Sequence, residues 1–158
     1  MEPPEVKGIR RHETPPASGS RSGSATVSQA RPMLKLVLVG LGGLLGSIGR
    51  YLVSGWVQNR FPFSGFPWGT LAVNLVGCWL LGFAAGLAET RGVLSSETRL
   101  FLMVGFFGGF TTFSTFGLES YTLLQDATYG RLAGNLLGSV VGGLVAVWLG
   151  LALARLLS

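Results

Sequence analysis

Histidine, cysteine and charge are nearly missing from this chain. Of its 158 residues, one is His and one is Cys. His12 lies near the amino terminus and Cys78 inside an apolar block. One copy therefore offers no intrachain disulfide, no tetrahedral metal site and no Cys–His nucleophile. A buried lone thiol behaves as a small hydrophobe. Asp, Glu, Lys and Arg together make up 12% of the chain, about half of what soluble domains carry. There are 25 glycines, yet no glycine-rich stretch ends in Gly-Lys-Ser/Thr, so a P-loop is excluded. The formal charge is +5, but no basic stripe with interleaved aromatics stands ready for nucleic acid. Lys and Arg sit instead in the amino-terminal tail and at the ends of apolar blocks, as at membrane boundaries.

What is there is hydrophobic length. The mean hydropathy is +0.51. Residues 1–32 stand apart, holding five of the seven prolines with Ser, Gly, Arg and Glu. Such a segment buries too little apolar surface to offset its ordering entropy, and a disordered polar tail is expected there. Arg10-Arg11 hints at a twin-arginine signal, but no apolar region follows until Met33 and no cleavage site closes it, so a secretory signal is not expected.

Residues 33–158 form the membrane domain. Four apolar blocks, 33–57, 66–87, 100–125 and 133–157, are each long enough for a helix to cross the hydrocarbon layer, which takes about 20 residues. The expected class is an all-α, multi-pass protein of the cell inner (plasma) membrane with four transmembrane helices. Trp56, Phe61, Phe63, Phe66 and Trp68 flank the first connection as an aromatic belt. Gly134, Gly138, Gly142, Ala146, Gly150 and Ala154 recur at every fourth position of the last block. Gly42, Gly46, Arg50 and Ser54 do the same in the first. Stripes of small residues let helix backbones approach closely in lipid. The core is poorly oriented by charge: Lys35, Arg91, Arg99 and Arg155 fall on one side, Arg60 and Arg131 on the other. The tail adds five cations to the first side and biases the amino terminus inward.

A few residues are too polar to be filler. The run Gly108-Gly109-Phe110-Thr111-Thr112-Phe113-Ser114-Thr115-Phe116 interrupts the third block. Irregular backbone at membrane depth survives only where protein buries it or where it lines a cavity, so a break there marks an ion or substrate site. Asn74 lies in the second block, Arg50 in the first, and Glu119 just beyond the run. Arg50 suits a structural role, either snorkelling or pairing with Glu119 or a carbonyl. Phe113 and Phe116 are three apart and share one helix face. A phenyl ring has a positive edge, so it can contact an anion without supplying a full charge. Binding of that kind suits permeation, which needs an ion to enter and to leave. Hydroxyls and the Asn74 amide can replace lost water, a requirement most acute for a small, strongly hydrated anion.

From the glycine pattern Gly42-Gly43-Leu44-Leu45-Gly46-Ser47-Ile48-Gly49-Arg50, the Asn-x-x-Gly at Asn74 and the third-block run, residues 33–158 resemble the Fluc (CrcB) family of fluoride channels. The resemblance implies an antiparallel, dual-topology dimer with a break in the third helix and two pores. It implies a homodimer, although pairs of dissimilar subunits also occur in the family. Phe113 and Phe116 correspond to the paired phenylalanines of the fluoride path and Asn74 to its asparagine. Ser114, Thr115 and Ser139 are candidates for the polar track, and Glu119 matches the glutamate near the pore. Gly108 and Thr111 fall where backbone carbonyls hold a structural Na+ at the dimer interface. One departure is Gly143, a turn beyond Ser139, where a further hydroxyl is expected.

The function implied is passive, fluoride-selective export conferring fluoride resistance, with no enzymatic activity and no nucleotide site. The contrasting expectation is a proton-coupled transporter like the small multidrug exporters. That class needs a membrane-embedded carboxylate in the first helix, where this chain has Arg50, leaving Glu119 as the acidic candidate.

Overall fold

A computed structural model describes residues 22–90, 92 and 94–157, with residues 22–31 described by backbone alone. Helix α1 (Ser22–Gln58) contains Pro32, and its apolar stretch begins there. Its first eleven residues belong by composition to the polar tail, whereas residues 1–21 lie outside the described residues. Helix α2 (Trp68–Thr90) follows a short aromatic connection in which Phe66 packs 4.6 Å from Trp68 and Arg60 lies 4.9 Å from the Trp56 ring. The last helix, α6, spans Tyr129–Leu156.

The third span (Ser96–Gln125) is assembled from pieces. It opens with α3 (Ser96–Arg99), whose cap Ser95 accepts from the Thr98 N–H. A π-helical segment (Leu100–Phe107) and α4 (Gly108–Phe110) continue the same rod. Two extended residues then break it, Thr111 at φ −80°, ψ 159° and Thr112 at φ −148°, ψ 116°. Helix resumes as α5 (Phe113–Gln125). The break is thus narrower than the polar run suggests: Gly108 and Gly109 are helical, and Ser114 and Thr115 fill the first turn of α5.

Four helical spans long and apolar enough to cross a membrane, with no strand among the described residues, make this a multi-pass membrane protein. Its main contacts are α2 along α6 and α1 along the first half of the third span, with α1 against α2 joining the two pairs. Glycine makes both seams possible. A Cβ on Gly42 would fall 2.9 Å from the Gly105 Cα, and one on Gly109 would fall 3.0 Å from the Gly43 Cα. On the other seam, a Cβ on Gly142 would reach Leu75 at 3.0 Å, and one on Gly150 would overlap the Trp79 carbonyl. The α6 stripe therefore faces α2 of the same chain. Close approach of this kind replaces the hydrophobic drive that lipid removes. The opposite faces of α1 and α6 remain apolar and exposed, as at Leu44 and Leu144.

Candidate functional site

The break in the third span is stabilised from α2. The Thr112 N–H donates to Asn74 Oδ1 at 2.8 Å, and Asn74 Nδ2 donates to the Thr112 carbonyl at 3.1 Å. One amide thus satisfies both backbone groups of an extended residue at membrane depth, where each unsatisfied group costs several kcal/mol. Thr112 then serves as the cap of α5. Its Oγ1 accepts from the Thr115 N–H at 3.3 Å and donates to Thr115 Oγ1 at 2.9 Å. Thr111 Oγ1 folds back onto the Phe107 carbonyl at 2.9 Å.

These bonds redirect two donors. In an unbroken helix Thr112 N–H would serve the Gly108 carbonyl and Thr115 N–H the Thr111 carbonyl. Both donate elsewhere. Two neutral carbonyl oxygens are thereby released from their helical partners, and Gly108 lies on an exposed face. Hard oxygen donors without charge fit a monovalent hard cation.

Asn74, Phe113, Phe116 and Ser139 line one cavity of about 250 Å³, together with Cys78, Thr111 and Thr112. The two rings stand 5.6 Å apart, tilted by 48°. Phe116 is buried at 8% exposure, whereas Phe113 is 82% exposed on the single chain. Ser139 Oγ is buried without a hydrogen-bond partner. Gly143 leaves room that the Cys78 thiol partly occupies, since a Cβ at Gly143 would lie 3.5 Å from Cys78 Sγ.

The other expected residues are arranged around this cavity rather than in it. Thr115 and Arg50 line a second cavity of about 450 Å³ between α1 and the break, with Ser47, Tyr51 and Thr70. Glu119 lines a third, of about 440 Å³, that reaches past Thr122 to Asp126 near the α5–α6 turn. Glu119 Oε1 accepts from Thr70 Oγ1 at 2.6 Å, and Oε2 is buried without a partner. The pairing of Arg50 with Glu119 is therefore not made: one carboxylate oxygen serves Thr70, the other no donor. Ser114 is exposed, its Oγ 3.5 Å from Thr112 Oγ1, and lines none of these three cavities.

Sequence reading passed over Thr70, Ser120 and Asn135. Thr70 precedes Asn74 by four residues, so both project from one face of α2 and bond to Glu119 and Thr112 respectively. Asn135 precedes Ser139 by four and donates to Ser120 Oγ at 3.0 Å in a buried contact. The helical spacing to Asn74 and Ser139 was the available signal.

Residues 37–151 match the family described as CrcB-like protein, Camphor Resistance (CrcB). The chain is 50% identical over 114 residues to the fluoride-specific ion channel FluC of Opitutus terrae, covering 71% of this chain and 86% of that protein. It is 46% identical over 123 residues to the fluoride-specific ion channel FluC of Agrobacterium fabrum, covering 78% and 98%. Fluoride-specific ion channel FluC 1 of Methanosarcina acetivorans is 45% identical over 118 residues, covering 75% and 88%. The family match over most of the chain and these identities place this protein in the CrcB family.

Proposed function

We propose that this protein is a fluoride-selective channel, not an enzyme, that releases cytoplasmic fluoride across the inner (plasma) membrane down its electrochemical gradient. The observation that carries the reading is the single cavity in which Asn74, Phe113, Phe116 and Ser139 meet beside the break. The family match and the names of its relatives support the choice of ion.

The chain's own groups supply the required chemistry. A small anion entering the cavity loses water and meets donors in exchange: the Ser139 hydroxyl, which has no other partner, and the rings of Phe113 and Phe116. Ring edges attract an anion weakly and without a counter-charge, so the ion is not trapped. Asn74 works indirectly, since both ends of its amide hold Thr112. Thr115 and Arg50 line the adjoining cavity, where a cation raises the local concentration of anions. An inside-negative potential favours anion exit by about 2.3 kcal/mol per 100 mV. Passive flow then suffices to lower internal fluoride, and resistance follows.

The working unit in this reading is an antiparallel dual-topology dimer, either of two copies or with a related subunit. Phe113 lies 82% exposed on one chain, and a partner's face would complete the wall around it. The carbonyls of Gly108 and Thr111 would hold a structural Na+ between the two subunits. When bound, the ion would supply a fixed positive charge beside the break. The Thr112 and Thr115 N–H groups donate elsewhere, which frees the Gly108 and Thr111 carbonyls from their helical partners, and with the exposed Gly108 face this supports that role.

The test is efflux from liposomes holding the purified protein, followed with a fluoride electrode and repeated with chloride. Rapid fluoride release with negligible chloride release is expected. Folded, reconstituted protein that releases neither ion would overturn the reading of this chain as a channel built of two copies.

A further inference from the structure

Asn135 has no exposed surface, and of the two largest fully buried side chains it is the polar one. Its Nδ2 donates to Ser120 Oγ at 3.0 Å, joining α6 to α5. The conduction pathway described above makes no use of it. Among the described residues, the other side-chain ties from a neighbouring helix to α5 come from α2, Asn74 to Thr112 at its cap and Thr70 to Glu119, apart from Thr128 in the connecting turn. The Asn135–Ser120 bond is the polar link from α6.

Helical geometry connects this bond to the cavity. Ser120 lies four residues after Phe116, and Asn135 four before Ser139, so each pair stacks one turn apart on a single face. Helices α5 and α6 are joined by the short turn Asp126–Thr128 and run antiparallel, with Thr128 Oγ1 and N–H both donating to the Leu123 carbonyl at 3.0 Å. The register that places Ser120 opposite Asn135 therefore also places Phe116 opposite Ser139. Both of the latter line the cavity.

From this geometry we infer that Asn135 is a positioning residue whose bond to Ser120 sets the rotation and register of α5 on α6, and so the place of the Phe116 ring opposite Ser139. Apolar contact between two helices in lipid is non-directional, so a helix can rotate or slide at little loss. A buried amide at a helix seam resists such slippage because only one register satisfies its donor. Helix α5 needs the restraint more than its neighbours do. The break at Thr111–Thr112 disconnects it from the rod of α3 and α4. The functional consequence rests on the fluoride-channel reading, but the geometric one does not.

The experiment compares wild type, Asn135→Leu, Ser120→Ala, the double variant and the exchanged pair Asn135→Ser/Ser120→Asn, each as the purified assembly and in proteoliposomes. Two readouts run in parallel: fluoride efflux, and the rate at which a small charged methanethiosulfonate labels Cys78. That thiol is the only cysteine in the chain and lines the same cavity as Phe116 and Ser139. Asn135→Leu should lower efflux about tenfold, the scale of one coupled contact, and raise Cys78 labelling several-fold with the assembly intact by size exclusion. The double variant should be no worse than the weaker single, and the exchanged pair should recover much of the efflux. Wild-type efflux and labelling in Asn135→Leu would overturn the inference. So would a loss of efflux with unchanged labelling, or additive losses in the double variant. If Asn135→Leu fails to assemble, Ser120→Ala decides by the same criteria. If wild type releases no fluoride, the channel reading fails, and the labelling rates still decide the role of Asn135.

Discussion

Asn74 on α2 grips Thr112 by both of its backbone groups, accepting from the N–H at 2.8 Å and donating to the carbonyl at 3.1 Å. A single side chain thus does at membrane depth what a neighbouring strand does in a sheet. Its removal affects the break before it affects any ion.

Asn74→Leu leaves the buried Thr112 N–H without a partner. An unsatisfied buried group costs about 1–3 kcal/mol. The variant should melt at lower temperature in detergent and lose most fluoride efflux. Unchanged melting would show that the break is held by other means.

Phe113→Ile and Phe116→Ile keep apolar volume and remove the positive ring edge. Fluoride efflux should fall in both, while size exclusion shows the same assembly as wild type. Phe116→Ile should also lower the melting point, since Phe116 is 8% exposed, whereas Phe113→Ile, at a ring 82% exposed on one chain, should lower it only in the assembled dimer. Unchanged efflux in both variants would remove the rings from the mechanism.

Thr70→Val deletes the donor to Glu119 Oε1 and leaves both carboxylate oxygens without a protein partner. Leaving a buried acceptor without its donor costs about 1–3 kcal/mol. Glu119→Gln keeps an oxygen that accepts from Thr70. Thermal melts should therefore rank wild type near Glu119→Gln, with Thr70→Val well below both.

Gly150→Val places a branched side chain against the Trp79 carbonyl and the Phe83 N–H. The α2–α6 seam must open, and overpacking of this kind costs about 1–3 kcal/mol. Folded yield from membranes should drop sharply. Gly117→Ala, where nothing stands within 4 Å of the added methyl, is the control and should leave yield unchanged.

If the carbonyls of Gly108 and Thr111 bind Na+, the assembly is stabilised by mass action, by about 2.7 kcal/mol at a hundredfold excess over Kd. Melting should therefore shift upward in sodium relative to N-methylglucamine at equal ionic strength. Identical melting in the two salts would remove the cation from the interface.

Much of this protein was legible in its residues because lipid imposes simple rules. Blocks of twenty or more apolar residues become spanning helices, since no other element satisfies its own backbone there, and all four appear close to their expected bounds. The glycine stripe of α6 follows from spacing alone. The polar run announced a break because hydroxyls and glycines have no other reason to gather at that depth. What the sequence could not decide is which side chains meet. The extent of the break, Thr111 and Thr112 alone, was chosen by the one donor–acceptor pair on α2 able to satisfy extended backbone. Glu119 turned to Thr70 and not to Arg50 because packing of α2 beneath α5 put a hydroxyl within 2.6 Å. Asn135 found Ser120, fifteen residues away across a turn. Helix content is local and one-dimensional; partners for buried polar groups depend on how the helices pack, and only the tertiary structure specifies that.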